Sequence, residues 1–109
     1  MEKLRRHGEF EAVLSSPLPA LVSSCFVVRA LARAAGPARL GVIVSKKIVA
    51  RAVDRNRAKR MVRETFRVVG RDLPPTDVVV QVRSAWARTR GSIAREGLAA
   101  IFAQLVHAR

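Results

Sequence analysis

The chain has 109 residues, half of them apolar, with 21 Lys and Arg against 8 Asp and Glu and a formal net charge of +13. That length gives one domain with one core, the apolar half excludes a disordered basic tail, and the charge asks for a polyanionic partner. A single cysteine, Cys25, excludes an internal disulfide and points to a reducing compartment. No run is apolar enough for a membrane span or a secretory signal, so a cytoplasmic protein is expected.

Residues 9–15 place Phe10, Val13 and Leu14 at helical spacing, and Ser15-Ser16-Pro17 stops that helix. Leu21-Val22 reads as a brief strand. Cys25 to Ala32 is a strand-like apolar run, Gly36-Pro37 a turn, and Arg39 to Lys46 a further strand, so these two strands are expected to pair as a hairpin. A basic helix follows. Gly70 to Thr76, with Pro74-Pro75, is a stiff loop, and Asp77 to Arg83 is the clearest strand of the sequence. Between Ser92 and Ala108, Ile93, Leu98, Ile101, Phe102, Leu105 and Val106 recur on a helical period. The order αβββαβα describes one α+β domain over residues 1–109, a small two-layer arrangement of helices on a sheet.

The basic helix lies in the segment from Ser45 to Arg67, which holds nine cationic side chains against only Asp54 and Glu64. At roughly 100° per residue, Asn56, Lys59, Arg60, Arg63 and Arg67 share one arc, and Ala58, Met61, Val62, Thr65, Phe66 and Val69 fill the opposite one. One side packs on a sheet and the other offers charge. Arg outnumbers Lys, which suits bidentate contact with phosphate. Asn56 stands within the stripe, with an amide able both to donate and to accept toward a sugar or base. Asp54 sits where its charge favours the helix start, and Gly70 is expected to close the helix as a left-handed C-cap.

Val53-Asp54-Arg55-Asn56-Arg57-Ala58-Lys59-Arg60, continuing through Arg63-Glu64 to Phe66-Arg67, resembles the RNR signature of the bacterial ribonuclease P protein family. Gly8 to Val13 resembles the first helix of that family, Gly41 to Lys47 its strand leading into the motif, and Asp77 to Arg83 its last strand. The resemblance implies a four-stranded sheet with helices and a left-handed βαβ crossover through the motif helix, against the usual hand. It implies an RNA-dependent endoribonuclease in which this chain is a subunit and carries no catalytic residue or metal ligand, with Mg²⁺ held by the RNA. The partners implied are the catalytic RNA and precursor tRNA, with no membrane and no further protein. By the same resemblance Arg51, Arg55, Asn56, Arg57, Lys59, Arg60, Arg63 and Arg67 dock the catalytic RNA. Phe10, Phe26, Lys46 and Lys47 line a cleft for the single-stranded 5′ leader. Leu14 and Arg29 stand where relatives often carry further aromatics, which shifts leader binding from stacking toward charge.

Bland readings stand beside these. A basic helix face is often only solvated, Phe26 among apolar neighbours fits a core position, and Trp86 fits a buried loop anchor. A small ribosomal or general RNA-binding protein would use the same stripe. His7 and His107 lie at opposite ends of the chain, and the acidic residues form no obvious pair for two-metal hydrolysis.

Overall fold

A computed structural model describes residues 2–107. The elements are β1 (Glu2–Lys3), α1 (His7–Leu14), β2 (Leu21–Val22), β3 (Phe26–Ala32), β4 (Arg39–Ile43), α2 (Ala52–Val69), β5 (Thr76–Val82) and α3 (Gly91–His107). Short 3-10 turns at Gly70–Asp72 and Ser84–Arg88 flank β5. The class is the expected α+β, and the expected order stands with one addition: β1 makes the sheet five-stranded rather than four-stranded, in the order β1-β4-β5-β3-β2. Ala108, the expected end of the last helix, lies outside the described residues.

The expected hairpin of β3 with β4 does not form. β5 inserts between them, antiparallel to β3 and parallel to β4. The cause lies in its composition: Val78, Val79 and Val80 are all fully buried, so this strand needs cover on both faces and a neighbour on each side, which only the centre of a sheet supplies. β4, α2 and β5 therefore form a parallel crossover unit, with the basic helix as its connection.

Strand alternation sorts the side chains between two faces. Phe26, Val28 and Ala30 of β3, Leu40 of β4, and Val78, Val80 and Val82 of β5 meet Ala58, Val62 and Phe66 of α2 and Leu98, Ile101 and Phe102 of α3 in the main core. The Phe66 and Phe102 rings meet edge to face at 5.5 Å. Cys25 is buried there as a small apolar residue. Ile93, expected on the core stripe of α3, is instead 53 % exposed, and Ala94 takes the inward position. On the other face Leu4, Val13 and Val79 are buried, with Phe10, Leu31 and Ile43 packed around them.

Gly70 does not adopt the left-handed conformation. Its φ of −79° and ψ of −6° continue the helical sense into the 3-10 turn. Glycine is needed there for closeness: a Cβ would stand 2.9 Å from the Phe66 ring. Among the described residues no helix is long and apolar enough to cross a membrane.

Candidate nucleic-acid interface

α2 starts from Arg51 in extended conformation, carries Asp54 in its first turn, and buries Ala58, Met61, Val62, Thr65 and Phe66. The Thr65 hydroxyl is satisfied by donating to the Met61 carbonyl at 2.8 Å. With that side sealed, Asn56, Lys59, Arg60, Arg63 and Arg67 face outward together and line, with Lys3 and Glu64, a groove of about 470 Å³. The five residues on one arc of the helical wheel are thus brought together, and β1 adds a cation to them.

The other basic residues of the motif are placed differently. Arg55 is half-buried, and its Nη1 donates to the carbonyls of Val49 at 3.0 Å and Ala50 at 2.7 Å. It ties down the loop before α2, whose Val49 is buried in the core. Arg57 turns to the opposite flank, its guanidinium 5.6 Å from the centre of the Trp86 ring and 3.5 Å from Asp54. Trp86 is 6 % exposed, so it anchors the turn and aims Arg57. Arg51 stands at the helix start, 3.9 Å from Asp54.

Residues of the expected cleft are split. Phe26 is 0 % exposed and lies on the α2/α3 face, whereas Phe10 lies on the α1 face. This corrects its assignment to the cleft: with no accessible ring it cannot stack on a base. Lys46 and Lys47 are exposed in the turn after β4, where the Ser45 hydroxyl accepts from the Lys47 N–H at 3.1 Å. Phe10 is half-buried. Its ring lies so close to Gly41 that a Cβ there would be 2.4 Å from it, and its accessible part lines a pocket of about 250 Å³ together with Lys3, Arg5, Lys59 and Arg63. Phe10 therefore adjoins the basic groove of α2.

An ion-pair network holds α1 on the sheet. Arg39 of β4 donates through Nε and Nη2 to both oxygens of Asp77 at 2.7 Å, and through Nη1 to Glu9 at 2.6 Å. Glu9 also accepts the backbone N–H groups of Arg6 at 2.9 Å and Arg5 at 3.0 Å. Those two bonds, with the charge of Arg39 behind them, lower its carboxyl from 4.5 to about 2. Asp77 in turn raises Arg39 further above the ordinary guanidinium value.

Across this face the strands align as three rows, Leu31-Asp77-Arg39, Arg29-Val79-Gly41 and Val27-Gln81-Ile43. The last row is half-exposed, and Arg29 hydrogen-bonds Gln81 there. Sequence reading missed Gln81, Lys3 and Arg5. Period-2 alternation within β5 could have found Gln81, but Lys3 and Arg5 precede any element legible from pattern. Among the described residues no group of three or more His, Cys, Asp and Glu is placed to hold a metal ion.

The family model for Ribonuclease P matches residues 1–106. A ribonuclease P protein component of Halorhodospira halophila is 38 % identical over 107 residues, covering 98 % of this chain and 85 % of that protein. Another, from Thioalkalivibrio sulfidiphilus, is 56 % identical over a shorter stretch of 63 residues, covering 53 % of this chain and 52 % of that protein. Among solved structures, the RNase P protein from Thermotoga maritima superposes with a TM-score of 0.79 at 29 % identity, covering 95 % of this chain and 97 % of that one.

Proposed function

The chain belongs to the ribonuclease P protein family, and from that premise we propose that it binds the catalytic RNA of ribonuclease P and the 5′ leader of precursor tRNA, assisting removal of the leader in the cytoplasm. The observation that carries this reading is the groove of Asn56, Lys59, Arg60, Arg63 and Arg67 on one face of α2. Four cations with one neutral amide among them suit an RNA backbone: the charges neutralise phosphates, and the amide reads a sugar or base edge. Arg55 and Arg57 serve the same surface at one remove, by fixing the loop before α2 and by adding a cation on its flank. Phe10 and the half-exposed row beside α1 suit a single strand, with an aromatic edge and the polar pair of Arg29 and Gln81.

Among the described residues no group of three or more His, Cys, Asp and Glu is placed to hold a Mg²⁺ ion, and Glu9 and Asp77 are engaged by Arg39, Asp54 by Arg51 and Arg57. In this reading Mg²⁺ and the cleavage it supports belong to the RNA partner, and the protein binds and positions.

The test is to add the purified protein to a bacterial ribonuclease P RNA at a Mg²⁺ concentration too low for the RNA alone. Restored cleavage of precursor tRNA at the mature 5′ end is expected. Binding of many RNAs without restored cleavage would favour a general RNA-binding protein, and cleavage by the protein with no added RNA would make it an autonomous nuclease.

A further inference from the structure

β1 covers only the beginning of the outer edge of β4. Glu2 pairs with Arg39 and Lys3 with Leu40, the Leu4 N–H donates to the Leu40 carbonyl at 2.9 Å, and the chain then leaves the sheet for α1. Backbone groups alternate sides along a strand, so the N–H and C=O of Val42 point the same way as those of Leu40, outward past the end of β1. This open edge is one wall of the pocket of about 250 Å³ beside Phe10.

Four cations surround that pocket: Lys3 from β1, Arg5 from the link to α1, and Lys59 and Arg63 from α2. None of them is within ion-pair distance of a described carboxylate. The Phe10 ring closes another side, and it can lie there only because Gly41 has no side chain to displace it. Converging cations, an outward strand N–H and an aromatic wall are the chemistry of a site for one phosphate with the sugar or base attached to it. Lys3, Lys59 and Arg63 also line the groove of α2, so the pocket adjoins the docking face.

We propose that this pocket seats a phosphodiester group of single-stranded RNA at the junction between the α1 side of the sheet and the α2 groove, with Lys3 and Arg5 as binding residues outside the RNR signature. The inference rests on the RNA-binding reading above. The phosphate comes either from the precursor leader or from the catalytic RNA, and the arms of the test separate the two.

The experiment uses the double variant Lys3→Gln, Arg5→Gln, both positions being exposed. Affinity is measured against salt for protein binding to the catalytic RNA, and for holoenzyme binding to precursor and to mature tRNA. Loss of one single-strand phosphate contact flattens the slope of log affinity against log salt by about 0.7, or about 2.6-fold less loss of affinity between roughly 50 and 200 mM salt. Flattening with precursor but not mature tRNA assigns the phosphate to the leader, and flattening with the catalytic RNA assigns it there. Unchanged slopes in every arm, while Arg60→Ala flattens the slope for the catalytic RNA, would overturn the pocket and leave the docking face intact. If Arg60→Ala also leaves that slope unchanged, the docking reading falls, and the pocket with it.

Discussion

Phe10 and Phe26 each fit a core or a cleft position in the sequence: Phe26 stands between Cys25 and Val27 at the start of β3, and Phe10 stands between Glu9 and Glu11 within α1, at helical spacing from Val13 and Leu14. Strand alternation and burial separate them: Phe26 lies in the main core at 0 % exposure, and Phe10 is half-buried against Gly41 on the other face. Truncation should therefore give opposite signatures. Phe26→Ala should destabilise the fold by about 3 to 5 kcal/mol and leave any surviving folded protein with normal preference for precursor over mature tRNA. Phe10→Ala should cost about 1 to 3 kcal/mol in binding precursor tRNA, leave mature tRNA unaffected, and lower the melting temperature less. Equal melting losses with undiminished leader preference would make Phe10 a second core residue. Period 2 within β3 marks Phe26, Val28 and Ala30 as one face, but it cannot say which face α2 and α3 cover and which α1 covers, and that depends on where the remaining strands pair.

At the scale of elements, α2 was the most legible part of the chain. Its inward residues Ala58, Met61, Val62, Thr65 and Phe66 are those set by the helical period, because 18 residues of amphipathic helix give a long signal. The position of β5 was less legible, although its unbroken run of buried valines was the available clue. The clamp of α1 on the sheet was invisible, since Glu9 and Arg39 are 30 residues apart and meet only through tertiary structure. That clamp has a pH signature. An unfolded glutamate ionises near 4.5 and Glu9 is held to about 2, so its contribution is complete above the unfolded value. As pH falls from 4.5 the unfolded chain takes up the proton first, and the stabilisation fades until it is gone near 2. Urea unfolding of wild type and Glu9→Gln should differ most at about pH 6, with the difference shrinking steadily over that window. A difference independent of pH would mean that the Glu9 carboxylate charge does not hold α1.

For the molecule as a whole, a formal charge of +13 makes affinity for some RNA unsurprising, so the informative question is where the charge acts. The fold concentrates it: β1 and α2 bring Lys3, Lys59, Arg60, Arg63 and Arg67 around one groove with Asn56 among them, while Arg33 and Arg39 are spent on Asp77 in the sheet. The sequence signature pointed to this groove from the order of residues alone, but it did not distinguish the cations that face it from Arg55 and Arg57, which the fold turns to other partners. The most direct measurement is the affinity of the purified protein for the catalytic RNA of ribonuclease P across a salt series, for wild type and for Arg60→Ala, Arg63→Ala and Asn56→Ala. Each arginine variant should flatten the slope of log affinity against log salt by about one unit, and Asn56→Ala should lose about 1 kcal/mol at an unchanged slope. Arginine variants that bind more weakly at the wild-type slope, or an Asn56→Ala variant that binds as tightly as wild type, would contradict the assignment of this face to the catalytic RNA.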